Sequence, residues 1–92
     1  MKANLLLYEK LINEDGSIVE TKVWQVPRSS HYPLGVKYSL YWVEGEKVRV
    51  GYDNHFPKGH HRHYGTREEK YVWESVDQLI EDFKSDMRRL KP

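Results

Sequence analysis

Val36-Lys-Tyr-Ser-Leu-Tyr-Trp-Val-Glu-Gly-Glu-Lys-Val-Arg-Val-Gly-Tyr-Asp53 alternates apolar and polar residues on both sides of a Glu44-Gly45-Glu46 turn. In an extended chain Val36, Tyr38, Leu40 and Trp42 fall on one face, and Lys37, Ser39 and Tyr41 on the other. After the turn Val48, Val50 and Tyr52 continue the apolar face, while Asp53 falls on the face of Arg49. This is the pattern of an antiparallel hairpin with one buried side, held by aromatic and aliphatic cross-strand pairs.

Outward from this hairpin, more strands precede it and a helix follows. Leu5 to Ile12 is apolar and β-compatible, and Asn13-Glu-Asp-Gly16 turns the chain. Ser17 to Val26 returns with Val19, Thr21 and Val23 on one face, and Ile18, Trp24 and Val26 around Glu20 and Lys22 on the other. Pro27 to Gly35, with prolines at 27 and 33, is a loop. Downstream, Lys70 to Glu74 reads as a short edge strand. Ser75 then caps a helix, as Ser75-Val-Asp-Gln78 fits a capping box and Asp77 suits the positive end of the dipole. Val76, Leu79, Ile80, Phe83, Met87 and Leu90 make an apolar stripe, and Arg88, Arg89 and Lys91 crowd the last turn. The fold class is therefore α+β: a small antiparallel sheet of about five strands, two hairpins plus an edge strand, packed by one C-terminal helix. Residues 1–92 form a single domain. One helix leaves part of the sheet uncovered, a surface that invites a homodimer or another partner protein.

Composition narrows the chemistry. There is no cysteine, which excludes disulfides, thiolate zinc sites and a cysteine nucleophile. The apolar run in MKANLLLYEKL is too short for a signal sequence or a membrane span, so a soluble cytoplasmic protein is expected. Net charge is only +1, and global charge gives no nucleic-acid footprint. Local charge differs: His55 to Arg67 holds three Lys or Arg, four His and no acid.

That segment belongs to Gly51-Tyr-Asp-Asn-His-Phe-Pro-Lys-Gly-His-His-Arg-His-Tyr-Gly65, punctuated by glycine and proline and read as a strand end entering a turn and leaving it. Three kinds of chemistry fit it. Histidine can act as acid and as base near neutral pH, which suits metal-free RNA cleavage. Lys58, Arg62 and Arg67 can hold phosphate, and Tyr52, Phe56 and Tyr64 can stack an unpaired base. Alternatively, His55, His60, His61 and His63 can bind a metal, with Asp53 adding an oxygen; His61 and His63 share a face of an extended segment. In the third case the segment binds nucleic acid or protein without catalysis, Asp53 and Asn54 building an Asx-type turn.

Gly51-Tyr-Asp-Asn54, Lys58-Gly-His-His-Arg-His63 and Gly65 with Arg67-Glu68-Glu69 and Tyr71 resemble the TumE family of toxin–antitoxin toxins. Asp15-Gly16, Trp24-Gln-Val-Pro27, Lys37-Tyr-Ser-Leu40, Ser75-Val76 and Leu79-Ile-Glu-Asp-Phe83 extend the resemblance over nearly the whole chain. The resemblance implies a cytoplasmic toxin that acts on RNA and is encoded beside a DNA-binding antitoxin. It matches Asp53, Asn54, His61, Arg62 and His63 to the family's core. The expected function is thus a metal-independent endoribonuclease with no cofactor. His61 and His63 serve as acid and base, and Asp53 orients a histidine or the substrate. Arg62, Lys58, Arg67, Asn54, Tyr52 and Tyr64 bind RNA. A non-catalytic binding module is the alternative, and a metal-dependent nuclease the third.

Overall fold

In the computed structural model, which describes residues 3–90, the chain forms one six-stranded antiparallel sheet and one helix. The strands are β1 (Asn4–Ile12), β2 (Ile18–Gln25), β3 (Val36–Glu44), β4 (Lys47–Asp53), β5 (His61–Tyr64) and β6 (Arg67–Lys70), and the helix is α1 (Val76–Leu90). Spatial order equals chain order, so the sheet is a meander in which each strand pairs with the next. The α+β class and both expected hairpins are present. The sequence-based expectation of Lys91 in the last helical turn lies outside the described residues.

The alternation read from the sequence sets the two faces. Val19, Val23, Tyr38, Leu40, Trp42, Val50 and Tyr52 are buried on the inner face, and Leu79 and Phe83 of α1 close over them. Full burial of side chains of this size contributes about 1.5–3 kcal/mol each. The helix starts where expected: Ser75 Oγ accepts from Gln78 N–H at 3.0 Å. Gln78 does not complete a reciprocal box; its amide donates along the helix to Asp82 at 2.8 Å. Helix α1 packs mainly on β4. The β1–β2 end of the inner face is left as an apolar groove of about 470 Å³, bordered by Leu7, Leu11, Val19, Ile80 and Met87. No helix among the described residues is long and apolar enough to cross a membrane.

Two elements differ from expectation. The histidine-rich stretch is not all turn, since His61–Tyr64 is a strand that pairs with β4. The edge strand is Arg67–Lys70 rather than Lys70–Glu74, joined to β5 through Gly65, whose φ of 59° makes the tight turn possible. Tyr71 and Trp73, the strong β-formers that suggested a strand, leave the sheet to pack instead. Tyr71 is buried edge-on to Tyr52, and Trp73 stacks on Tyr38 and His60. The short, charged Arg-Glu-Glu-Lys strand left at the edge is poorly suited to pairing with another sheet.

Candidate functional site

The ladder register decides which side chains meet. Directly opposed residues share a face, and β4–β5 pairs Gly51 with His63, Tyr52 with Arg62, and Asp53 with His61. In β5–β6, Glu68 opposes His63 and Glu69 opposes Arg62. The outer face therefore gathers Asp53, His61, His63 and Glu68, and the face under the helix gathers Tyr52, Arg62, Tyr64 and Glu69.

On the outer face, His61 Nε2 lies 2.8 Å from Asp53 Oδ1, and His63 Nε2 lies 3.7 Å from Asp53 Oδ2. The two imidazoles meet edge-on with centroids 4.8 Å apart. His61 is only 6% exposed. Its Nδ1 sits 2.7 Å from the Gly59 carbonyl, which can only accept, so Nδ1 carries a hydrogen. Nε2 then faces the Asp53 carboxylate oxygen at 2.8 Å. The side chain of His63 is about a quarter exposed and opens to solvent.

Asp53 is held from behind. Tyr41 Oη donates to Asp53 Oδ2. Burial, then the bond to Asp53, raises the Tyr41 hydroxyl well above its ordinary pKa and keeps it a donor. Gly51 allows this reach: a Cβ there would fall 2.4 Å from Tyr41 Cε1, so the ring lies where any larger residue would project. His55 N–H also approaches Asp53 Oδ1, at 3.3 Å, which gives the expected Asx-type turn. Glu68 completes the cluster, its oxygens 3.9 Å from His61 Nε2 and 4.0 Å from His63 Nδ1. Lys58 donates to both Glu68 oxygens, at 3.0 and 3.1 Å. That hydrogen bond, with the charges of Lys58, His63 and His61 behind it, holds Glu68 below the usual carboxylate range. These groups border a cleft of about 310 Å³, whose outer lip is His55, Phe56 and Pro57. His31 stacks on Phe56 with centroids 3.7 Å apart, joining the 26–35 loop to that lip.

The structure thus brings together His61, His63, Asp53 and Lys58 from the sequence-derived set, and separates the rest. Arg62 lies on the helix-covered face. It donates to Glu69 at 2.6 Å and to the Tyr52 hydroxyl at 3.4 Å, and stacks on Tyr64 at 5.2 Å. Arg67 opposes Tyr64 and shares that face. Tyr52 is fully buried and cannot stack a base. Tyr64 lies between the Arg62 and Arg89 guanidiniums. Asn54 is a buried clasp: its Oδ1 accepts from Tyr38 N–H at 2.9 Å and its Nδ2 donates to the Val36 carbonyl at 2.7 Å. Of the histidines named as metal donors, His55 is exposed on the lip and His60 turns away. His60 packs against both Tyr38 and Trp73, the three rings forming a triangle, and its Nδ1 meets the Tyr38 hydroxyl at 2.9 Å.

Sequence reasoning missed Tyr41, Glu68 and Asp86. Alternation places Tyr41 on the face of Asp53, which was a usable signal, whereas nothing local marks Glu68. Asp86 interrupts the polar side of no motif; it is buried in α1, where Tyr52 and Tyr64 hydroxyls both donate to its Oδ2.

The family model for Toxin TumE matches residues 2–91, nearly the whole chain. The chain belongs to the TumE toxin family. Membership makes it the toxin component of a toxin–antitoxin system, with an antitoxin as its counterpart. No curated protein and no solved structure matches the chain.

Proposed function

We propose that this TumE-family toxin acts in the cytoplasm by cleaving RNA, with the reaction in the Asp53–His61–His63 cleft. The observation that carries the proposal is convergence. Residues eight and ten positions apart from Asp53 in the sequence return to it across one ladder, so their ionisable atoms lie within 4.8 Å of one another.

Cleavage of RNA by its own 2′-hydroxyl forms a bond from O2′ to phosphorus and breaks the bond to O5′. A proton leaves O2′ and one is added to O5′. The cluster supplies groups for both transfers, since imidazoles, and water bound against them, exchange protons near neutral pH. Two strands rather than a loop hold it, which favours fixed geometry. Phe56, 44% exposed at the lip, offers an unpaired base a stacking surface.

The test is cleavage by purified protein. The wild type is expected to leave 2′,3′-cyclic phosphate and 5′-hydroxyl ends, with activity lost by at least about 100-fold in His63→Ala. Equal cleavage by a folded His63→Ala protein would remove the cleft from the reaction.

A further inference from the structure

The cleft is rich in groups that attract a cation and poor in charge that would hold a phosphate. Arg62 and Arg67 lie on the far face, and Lys58 is engaged by both oxygens of Glu68. Asp53 and Glu68 add negative charge at the place where the substrate is most negative. A phosphodiester entering this cleft therefore needs positive charge from elsewhere.

We propose that Asp53, His61 and His63 bind a divalent first-row transition-metal ion, Zn²⁺ being the best match. Its part in catalysis rests on the RNA-cleaving reading above, whereas its binding does not. An ion about 2.0–2.1 Å from each donor sets ligand atoms roughly 2.8–3.4 Å apart at octahedral or tetrahedral angles. His61 Nε2 lies 2.8 Å from Asp53 Oδ1 and His63 Nε2 lies 3.7 Å from Asp53 Oδ2, and one donor atom from each of the three residues falls within 4.8 Å of the others. Small side-chain shifts would suffice to admit an ion.

The supporting bonds are those that metal ligands need. The Gly59 carbonyl accepts from His61 Nδ1–H, which leaves Nε2 as the coordinating nitrogen. Tyr41 orients the Asp53 carboxylate through Oδ2, leaving Oδ1 directed at His61. Glu68 stands 4.0 Å from His63 Nδ1, beyond hydrogen-bond distance but near enough to add negative charge beside the donor set. Two imidazoles and one carboxylate favour zinc and its transition-metal neighbours over magnesium or calcium, which prefer oxygen ligands. Three protein ligands leave a position open toward the cleft for water or a phosphoryl oxygen. The ion would supply the charge that the arginines do not. Asp53, His61 and His63 would hold the ion, and when bound it would supply a Lewis acid and an acidified water beside the cleft. This departs from the metal-free chemistry expected from histidine content alone.

Calorimetric titration of the tag-free, chelator-stripped full chain with Zn²⁺ tests the proposal. One ion per chain is expected. His63→Ala, at a partly exposed position, should weaken binding by about 100-fold or more, and Tyr41→Phe by about 10-fold. His31→Ala, on the surface loop, should leave affinity unchanged, and circular dichroism of each apo variant establishes that it is folded. No uptake, or equal affinity in folded His63→Ala and Asp53→Asn, would overturn the site. If the stripped chain binds no zinc yet cleaves RNA, the metal proposal fails and the RNA-cleaving reading stands. If it binds zinc with the stated ligand dependence and cleaves nothing, the metal site stands and that reading fails.

Discussion

Strands β4 to β6 carry two polar clusters, one on each face, built on a similar plan from different chemistry. On the helix side, the Asp86 carboxylate accepts from Tyr52 and Tyr64 and lies against Arg62 and Arg89. On the open side, the Asp53 carboxylate accepts from Tyr41 and lies against His61 and His63. Each has a carboxylate held by a tyrosine hydroxyl beside cationic or ionisable nitrogen. The difference lies in the nitrogen and in the cover. Arginine keeps its proton under all ordinary conditions, so the Asp86 cluster, closed by α1, can only hold structure together. Histidine can give up its proton or offer a lone pair, and the Asp53 cluster opens on a cleft. One alternating sequence, Tyr52-Asp53 and His61-Arg62-His63-Tyr64, feeds both faces.

The comparison is broken most severely at the two carboxylates. Asp86→Asn is expected to destabilise the fold by about 2–4 kcal/mol, because the guanidiniums lose their counter-charge and one of the two acceptor oxygens becomes a donor. Asp53→Asn, beside the open cleft, should cost less, about 1–2 kcal/mol, since water can reach the groups it leaves. Urea unfolding of both variants measures this; equal losses would mean that both clusters are structural. A smaller effect comes from His60, which belongs to neither cluster. Burial, and then the charge of His61, lowers its pKa from the ordinary 6.5. The unfolded chain then takes up the proton first as pH falls. The stability that His60 contributes is complete above the ordinary value and is lost as pH falls through the lowered one. His60→Phe, which keeps a ring against Tyr38 and Trp73, should flatten the fall in urea midpoint between about pH 7 and 5. An unchanged slope would assign that fall to other groups.

Much of this was legible in the sequence. Alternation in Val36–Asp53 gave the central strands and their faces, and the Ser75 cap with its apolar stripe gave the helix. Strand β5 was not legible, because His-Arg-His-Tyr lacks an apolar face and is extended only through pairing with β4. Tyr71 and Trp73 misled for the converse reason: their β propensity is outweighed by packing, Tyr71 in the core and Trp73 against Tyr38 and His60. Within the site, the parity that sets His61 beside His63 also sends Arg62 to the other face, so its separation was readable once β5 was known to be extended. The contact of Asp53 with His61 was not, since it depends on the length of the 54–60 turn and on which residues the ladder opposes.

The central claim is that function lies on the Asp53 face and structure on the Asp86 face. Its most direct test is regulated expression of the wild type, His63→Ala and Arg62→Gln in a host cell, with total RNA sequenced for new 5′ ends and soluble, folded protein verified for each. Growth arrest with new ends in the wild type and in Arg62→Gln, but not in His63→Ala, is the expected result. New ends that persist in His63→Ala and vanish in Arg62→Gln would contradict it.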